Sequence, residues 1–191
     1  MPLSDSAERD HVHTRRIDCR GFRRADGLWD VEGHLTDVKT YPFRNDYRGT
    51  IEPGEPLHDM WLRLTIDDGL TIRAVEAVTD RGPYHICGDI APAFDKLVGL
   101  SMRPGFTRRV RQLLGGVRGC THLVELLVPM ATTAFQTIFP ILSREHAETG
   151  GGGARPKRRP PLLDTCHAFA SDGPIVKRYW PDFHTGDETA E

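Results

Sequence analysis

The sequence predicts an α+β fold: an antiparallel sheet of four or more strands with helices packed on one face. Two observations lead there. Asp26-Gly27 and Asp68-Gly69 each stand between strand-like stretches, a strong short-range signal for a hairpin. Beyond "RGPYHICGDIAP" the apolar spacing changes from every second residue to every third and fourth, the period of a helix.

Each element follows from its own pattern. Around Asp26-Gly27, Trp29, Val31, Gly33 and Leu35 alternate with Asp30, Glu32, His34 and Thr36, as in a strand with one face exposed. The segment "NDYRGTIEPGEP" reads as a polar loop rich in turn formers. In the second hairpin Met60, Leu62, Leu64 and Ile66 alternate with Trp61, Arg63 and Thr65, and Ile72, Val75 and Val78 fall on the return strand. "PAFDKLVG" and "GFTRRVRQLLGG" read as short helices closed by Gly99 and Gly115. From Thr121 the positions Leu123, Leu126, Leu127, Met130, Ala131, Ala134, Phe135 and Ile138 form the buried stripe of a long helix, which Pro129 and Pro140 should kink or end.

The domain organisation expected is a mobile N-terminus over 1–13, an α+β core over 14–148, and a flexible basic linker over 149–161, "TGGGGARPKRRPP". A C-terminal segment over 162–184 is expected to dock on the core as a short strand pair, before a mobile tail over 185–191. With 191 residues, 38% of them hydrophobic, one core can be buried without disulfides. The formal charge of -2 supplies no whole-protein field for nucleic acid or anionic membrane, so no specific nucleic acid and no membrane is expected as a partner. The basic linker reads as a tether. No continuous apolar run of membrane-spanning length and no signal-peptide pattern is seen at the N-terminus, which points to the cytoplasm. Oligomeric state is not legible. Cys19, Cys87, Cys120 and Cys166 are widely spaced without a CxxC pair, and are read as free, metal-bound or reactive thiols.

Soft-ligand residues gather in a few segments: His58 at a strand entry, His85 and Cys87 after the second hairpin, Cys120 and His122 at a helix start, and Cys166 with His167 beyond the linker. Thiolate and imidazole are the donors that zinc, iron and iron–sulfur clusters select. Taken singly, each is more often a packed or hydrogen-bonded residue, and core packing is the reading for Cys166.

Most of residues 15–181 resembles a bacterial domain-of-unknown-function family of the DUF2889 type, through "DGLWDVEGHLTDVK", "GEPLHDMWLRLTID", "GGVRGCTHL" and "DTCHAFASDGPIVKRYWP". Residues 55–137 are more distantly similar to the NifU/IscU proteins on which iron–sulfur clusters are assembled. That resemblance implies a scaffold-protein-like core, with His58 in place of the first cysteine, Cys87 near the second, and Cys120 matching the cysteine that opens the long helix. It departs where the scaffold has an aspartate and this chain has Met60 beside Asp59, and where Gly119 replaces a histidine.

The metal ligand set expected is His58, Cys87, Cys120 and His122, holding zinc or iron, the latter including an iron–sulfur cluster. For Cys120 and His122 to converge, the helix must begin between them, with Thr121 as the N-cap. If Asp59 or water takes one position, the ion keeps an open site and can act as a Lewis acid on a small organic ligand. Two other readings stand beside this one. Cys120 could be a metal-independent nucleophile, activated by the helix N-terminus with His58 or His122 as base. The domain could also be a non-catalytic interaction module. Cys120, His58 and Asp59 are the candidate catalytic residues.

Overall fold

The computed structural model describes residues 3–148 and 159–186. The chain divides into two compact units, residues 1–145 and 146–191. In the first, strands β1 (His13–Arg23), β2 (Trp29–Lys39), β5 (Pro56–Ile66) and β6 (Ile72–Arg81) form one antiparallel sheet in the order β1-β2-β5-β6. The two Asp-Gly hairpins are both present, joined by the β2–β5 pairing. The loop between them holds a small hairpin of its own, β3 (Phe43–Asn45) and β4 (Gly49–Ile51), where only a polar loop is expected. Its turn is built by Asn45, whose Oδ1 accepts from the backbone N–H groups of Tyr47 and Arg48.

Alternation sorts the sheet into two faces. Trp29, Val31, Leu35, Met60, Leu62, Leu64 and Ile66 are all buried on one. The other carries an ion-pair row in which Arg63 bonds Glu32 at 2.8 Å and Glu76 at 2.7 Å. It also holds a stacked pair, His34 on Trp61, with ring centroids 3.7 Å apart.

After β6 a 3-10 helix runs over His85–Leu97, followed by α1 (Phe106–Leu114) and α2 (Thr121–Glu148). The short α-helix expected at "PAFDKLVG" is thus the last part of a longer 3-10 run that has Pro92 inside it. Helix α2 continues through both Pro129 and Pro140. Its length and composition would suffice to cross a membrane, but Leu123, Leu126, Leu127, Met130, Ala134 and Ile138 belong to the same buried cluster as the apolar sheet face. Two glycines record how closely sheet and helix approach. A Cβ at Gly33 would lie 2.7 Å from Met130 Sδ, and one at Gly21 would overlap the Thr137 side chain.

In the second unit the described residues contain 3-10 turns over His167–Phe169 and Pro181–Phe183 and a short helix α3, Pro174–Tyr179. These replace the strand pair expected there. Pro174 opens α3, where its missing N–H costs nothing, and Asp164 fixes the preceding loop by accepting from Arg159 and from the Ser171 N–H. Most of the basic linker (149–158), the first two residues and the end of the tail (187–191) lie outside the described residues.

Candidate functional site

Arg15, Asp37 and His58 are direct register partners across β1, β2 and β5, so the antiparallel pairing sets three polar side chains in a row. All three fall on the apolar phase of their strands. Asp37 is only 3% exposed and His58 9%. A carboxylate so deeply placed must have its charge met, and the partners are at hand. Arg15 donates from Nε to Oδ1 and from Nη2 to Oδ2, both at 2.8 Å, while His58 Nδ1 lies 2.9 Å from Oδ2 and His13 Nε2 lies 3.1 Å from Oδ1. The fork of the guanidinium matches the two carboxylate oxygens. Arg15 also reaches Glu125 on α2 with Nη1. The β2–β5 register shifts between Asp37 and Val38, and the β5–β6 register between Asp59 and Met60, so irregularities in pairing flank this row.

The start of α2 completes the group. His122 packs its ring on that of His58, centroids 3.8 Å apart, and its Nε2 lies 3.9 Å from Asp37 Oδ2. Its other nitrogen, Nδ1, lies 3.8 Å from Cys120 Sγ. Cys120 is itself 3.9 Å from the thioether of Met60. The helix begins one residue earlier than the capping reading requires. The Val124 N–H bonds the Cys120 carbonyl at 2.9 Å, so Cys120 occupies the N-cap position and His122 sits in the first turn.

Electrostatics follow from these contacts. Burial raises the Asp37 pKa, but hydrogen bonding and charge from Arg15, with a smaller contribution from His58, outweigh it and hold the carboxyl below its ordinary value. Burial lowers the pKa of His58, and the neighbouring His122 lowers it further against the pull of Asp37. Burial and the Arg15 charge likewise lower the His122 pKa. The corner therefore pairs an ionised carboxylate with two imidazoles biased towards the neutral, lone-pair-bearing form.

Among the described residues, Asp37, His58 and His122 are the one group of three or more histidine, cysteine or acidic side chains whose donor atoms all lie within 4.8 Å of one another. The structure thus brings together two of the four ligands expected, His58 and His122, with Cys120 at the border of the group. Cys87 is not in it and lies against Gly82, where a Cβ would be 3.2 Å from its Sγ. Asp59 follows His58 in sequence and therefore projects from the opposite sheet face, where it bonds His34 Nε2 at 2.7 Å. It is removed from the candidate catalytic set for that reason. Cys166 is exposed and belongs to the second unit, which corrects its reading as a packed core residue.

Sequence reading passed over Asp37, Arg15 and His13. The signal was present: Asp37 continues the register of Trp29, Val31, Gly33 and Leu35, and an acidic side chain on the apolar phase of a strand needs a dedicated partner.

Fold and site together define an α+β domain with a buried aspartate–histidine cluster between a sheet and a helix N-terminus. Residues 13–136, more than half of the chain, match the family described as "Protein of unknown function (DUF2889)", and the chain belongs to that family. The matched span begins at His13 and contains every member of the cluster. No curated protein matches the chain, and no solved structure does. The likeness to iron–sulfur scaffold proteins has no support from either comparison.

Proposed function

We propose that this domain binds a divalent transition-metal ion, zinc or iron(II), between Asp37 Oδ2, His58 Nδ1 and His122 Nε2. The observation that carries the reading is the clustering of those three side chains within 4.8 Å. Measured from Oδ2, the two nitrogens stand at 2.9 and 3.9 Å. Ligand bonds of about 2.0–2.2 Å give donor separations of roughly 3–3.5 Å, so small side-chain adjustments would close the set around an ion that takes the place of the proton between Asp37 and His58. Arg15 would then serve as the outer partner that fixes the carboxylate, as ligating carboxylates generally require.

Two histidines and one carboxylate suit zinc or non-haem iron(II) and leave coordination positions open. Such an ion can polarise a bound carbonyl or lower the pKa of a bound water, which would make a small organic molecule the substrate. A cluster-assembly role has less in its favour, because Cys120 is the one thiol beside the group among the described residues.

Elemental analysis of untagged protein purified without oxygen tests the reading. About one zinc or iron per chain is expected, falling to background in His58→Ala and His122→Ala. Metal-free wild-type protein that also fails to take up zinc or iron(II) on titration would overturn it.

A second reading rests on a separate observation, the 3.8 Å approach of Cys120 Sγ to His122 Nδ1 with Cys120 at the N-cap of a 28-residue helix. In this reading His122 Nδ1 takes the thiol proton while Asp37 faces the other ring nitrogen. This reading predicts rapid alkylation of Cys120 in chelator-treated protein, slowed in His122→Ala. Alkylation no faster than that of an ordinary free thiol would remove it.

A further inference from the structure

Met60, Cys120 and His122 make a second donor set beside the first, of a different chemical character. They come from three places in the fold: the middle of β5, the N-cap of α2 and the first turn of α2. Cys120 Sγ is the shared vertex, 3.9 Å from Met60 Sδ and 3.8 Å from His122 Nδ1. We propose that these three side chains form a site for monovalent copper, with thiolate, thioether and imidazole as its ligands.

Geometry, softness and charge argue for that ion. In a trigonal arrangement, metal–sulfur bonds of about 2.3 Å and a metal–nitrogen bond of about 2.0–2.1 Å place the two sulfurs about 4.0 Å apart and sulfur and nitrogen about 3.7–3.8 Å apart, close to the 3.9 and 3.8 Å measured. Thiolate and thioether are the soft ligands that select copper(I), and a thioether adds little to a zinc or iron(II) site. Binding would release the Cys120 proton and join one thiolate to one monovalent cation, so that the site becomes neutral overall. Met60 is 1% exposed and pairs with the equally buried Leu35, so the thioether side of the site is apolar. A neutral complex is much cheaper to hold there than the net charge that a divalent ion and a single thiolate would leave.

This inference does not rest on the divalent site. It uses the opposite nitrogen of His122 and neither Asp37 nor His58, so substitutions can separate the two.

The experiment is an anaerobic titration of the full chain with copper(I) in competition with bicinchoninate. Wild-type protein should withdraw a single equivalent from the chelator, and X-ray absorption should show two sulfur neighbours and a nitrogen. Met60→Leu conserves volume in the core, and Cys120→Ser alters a half-buried position. Each should weaken copper(I) more than about tenfold. Asp37→Asn should leave copper affinity within about twofold of wild type while abolishing zinc or iron(II) uptake; the latter result concerns the earlier reading alone. Wild-type copper affinity in both Met60→Leu and Cys120→Ser would overturn the proposal. So would failure to compete with bicinchoninate, or a loss in Asp37→Asn equal to that in Met60→Leu.

Discussion

Arg15 grips Asp37 through two parallel hydrogen bonds of 2.8 Å, and the two residues face each other directly across the β1–β2 ladder. The carboxylate is almost wholly buried, whereas the arginine side chain is 35% exposed. Removing the arginine therefore harms the fold through what it leaves behind, a buried anion without its cation. Arg15→Met should destabilise the domain by about 1–3 kcal/mol, less than the roughly 3–5 kcal/mol of a fully buried broken pair because Arg15 is partly solvated. Urea denaturation followed by circular dichroism measures it. Arg15→Lys should recover only part of the loss, since an ammonium cannot bond both oxygens in a fork.

Acid should weaken the metal-free protein in two stages. His58 and His122 have folded-state pKa values below the ordinary 6.5, so between those values and about 6.5 the unfolded chain binds more protons than the native one. Stability consequently falls as pH drops through that window. Asp37 acts lower down. Its folded pKa lies below 3.8, so the stabilisation it supplies is complete above the unfolded value and is lost as pH falls through the folded one. Thermal unfolding of chelator-treated protein between pH 8 and pH 3 should show both declines, and His122→Gln should flatten the upper one.

At Gly33 the absent side chain is what lets α2 approach, with Met130 Sδ in the space a Cβ would need. Gly33→Val should cost about 1–3 kcal/mol by overpacking, although valine is the better strand former. Pairing it with Met130→Ala should recover part of the cost, a coupling that a double-mutant cycle would display.

On the opposite sheet face, His34 bonds Asp59 and stacks on Trp61. Those residues share strands β2 and β5 with Asp37 and His58 but not a side of the sheet. If the proposed site holds metal, His34→Ala and Asp59→Asn should leave metal content within experimental scatter of wild type, whereas His58→Ala should lower it to background. A matching loss in Asp59→Asn would show that the two faces communicate.

The parts of the fold that could be read from sequence are those governed by local rules. Asp26-Gly27 and Asp68-Gly69 demand tight turns, and the alternation beside them fixes which side chains turn inward. The stripe from Leu123 to Ile138 likewise declares a helix, one that Pro129 and Pro140 do not end. What stayed hidden depends on partners distant in the chain or on weak local preferences. His85–Leu97 forms a 3-10 helix around Pro92, and Pro174–Tyr179 forms a helix too short for its apolar spacing to reveal. The site was half legible for the same reason. His58, Cys120 and His122 attract attention as residue types, but Asp37 matters through Arg15, twenty-two positions away, and only the pairing of β1 with β2 shows that they meet.

Strand β1 is an edge of the sheet, hydrogen-bonded along one flank only. Peripheral strands breathe first, and each excursion of this one would carry off the guanidinium that satisfies Asp37. The momentarily bared carboxylate would then seek another positive charge. In the proposed metal site the ion would sit on a carboxylate that Arg15 orients, so amide hydrogen exchange along His13–Arg23 should slow when zinc or iron(II) is added.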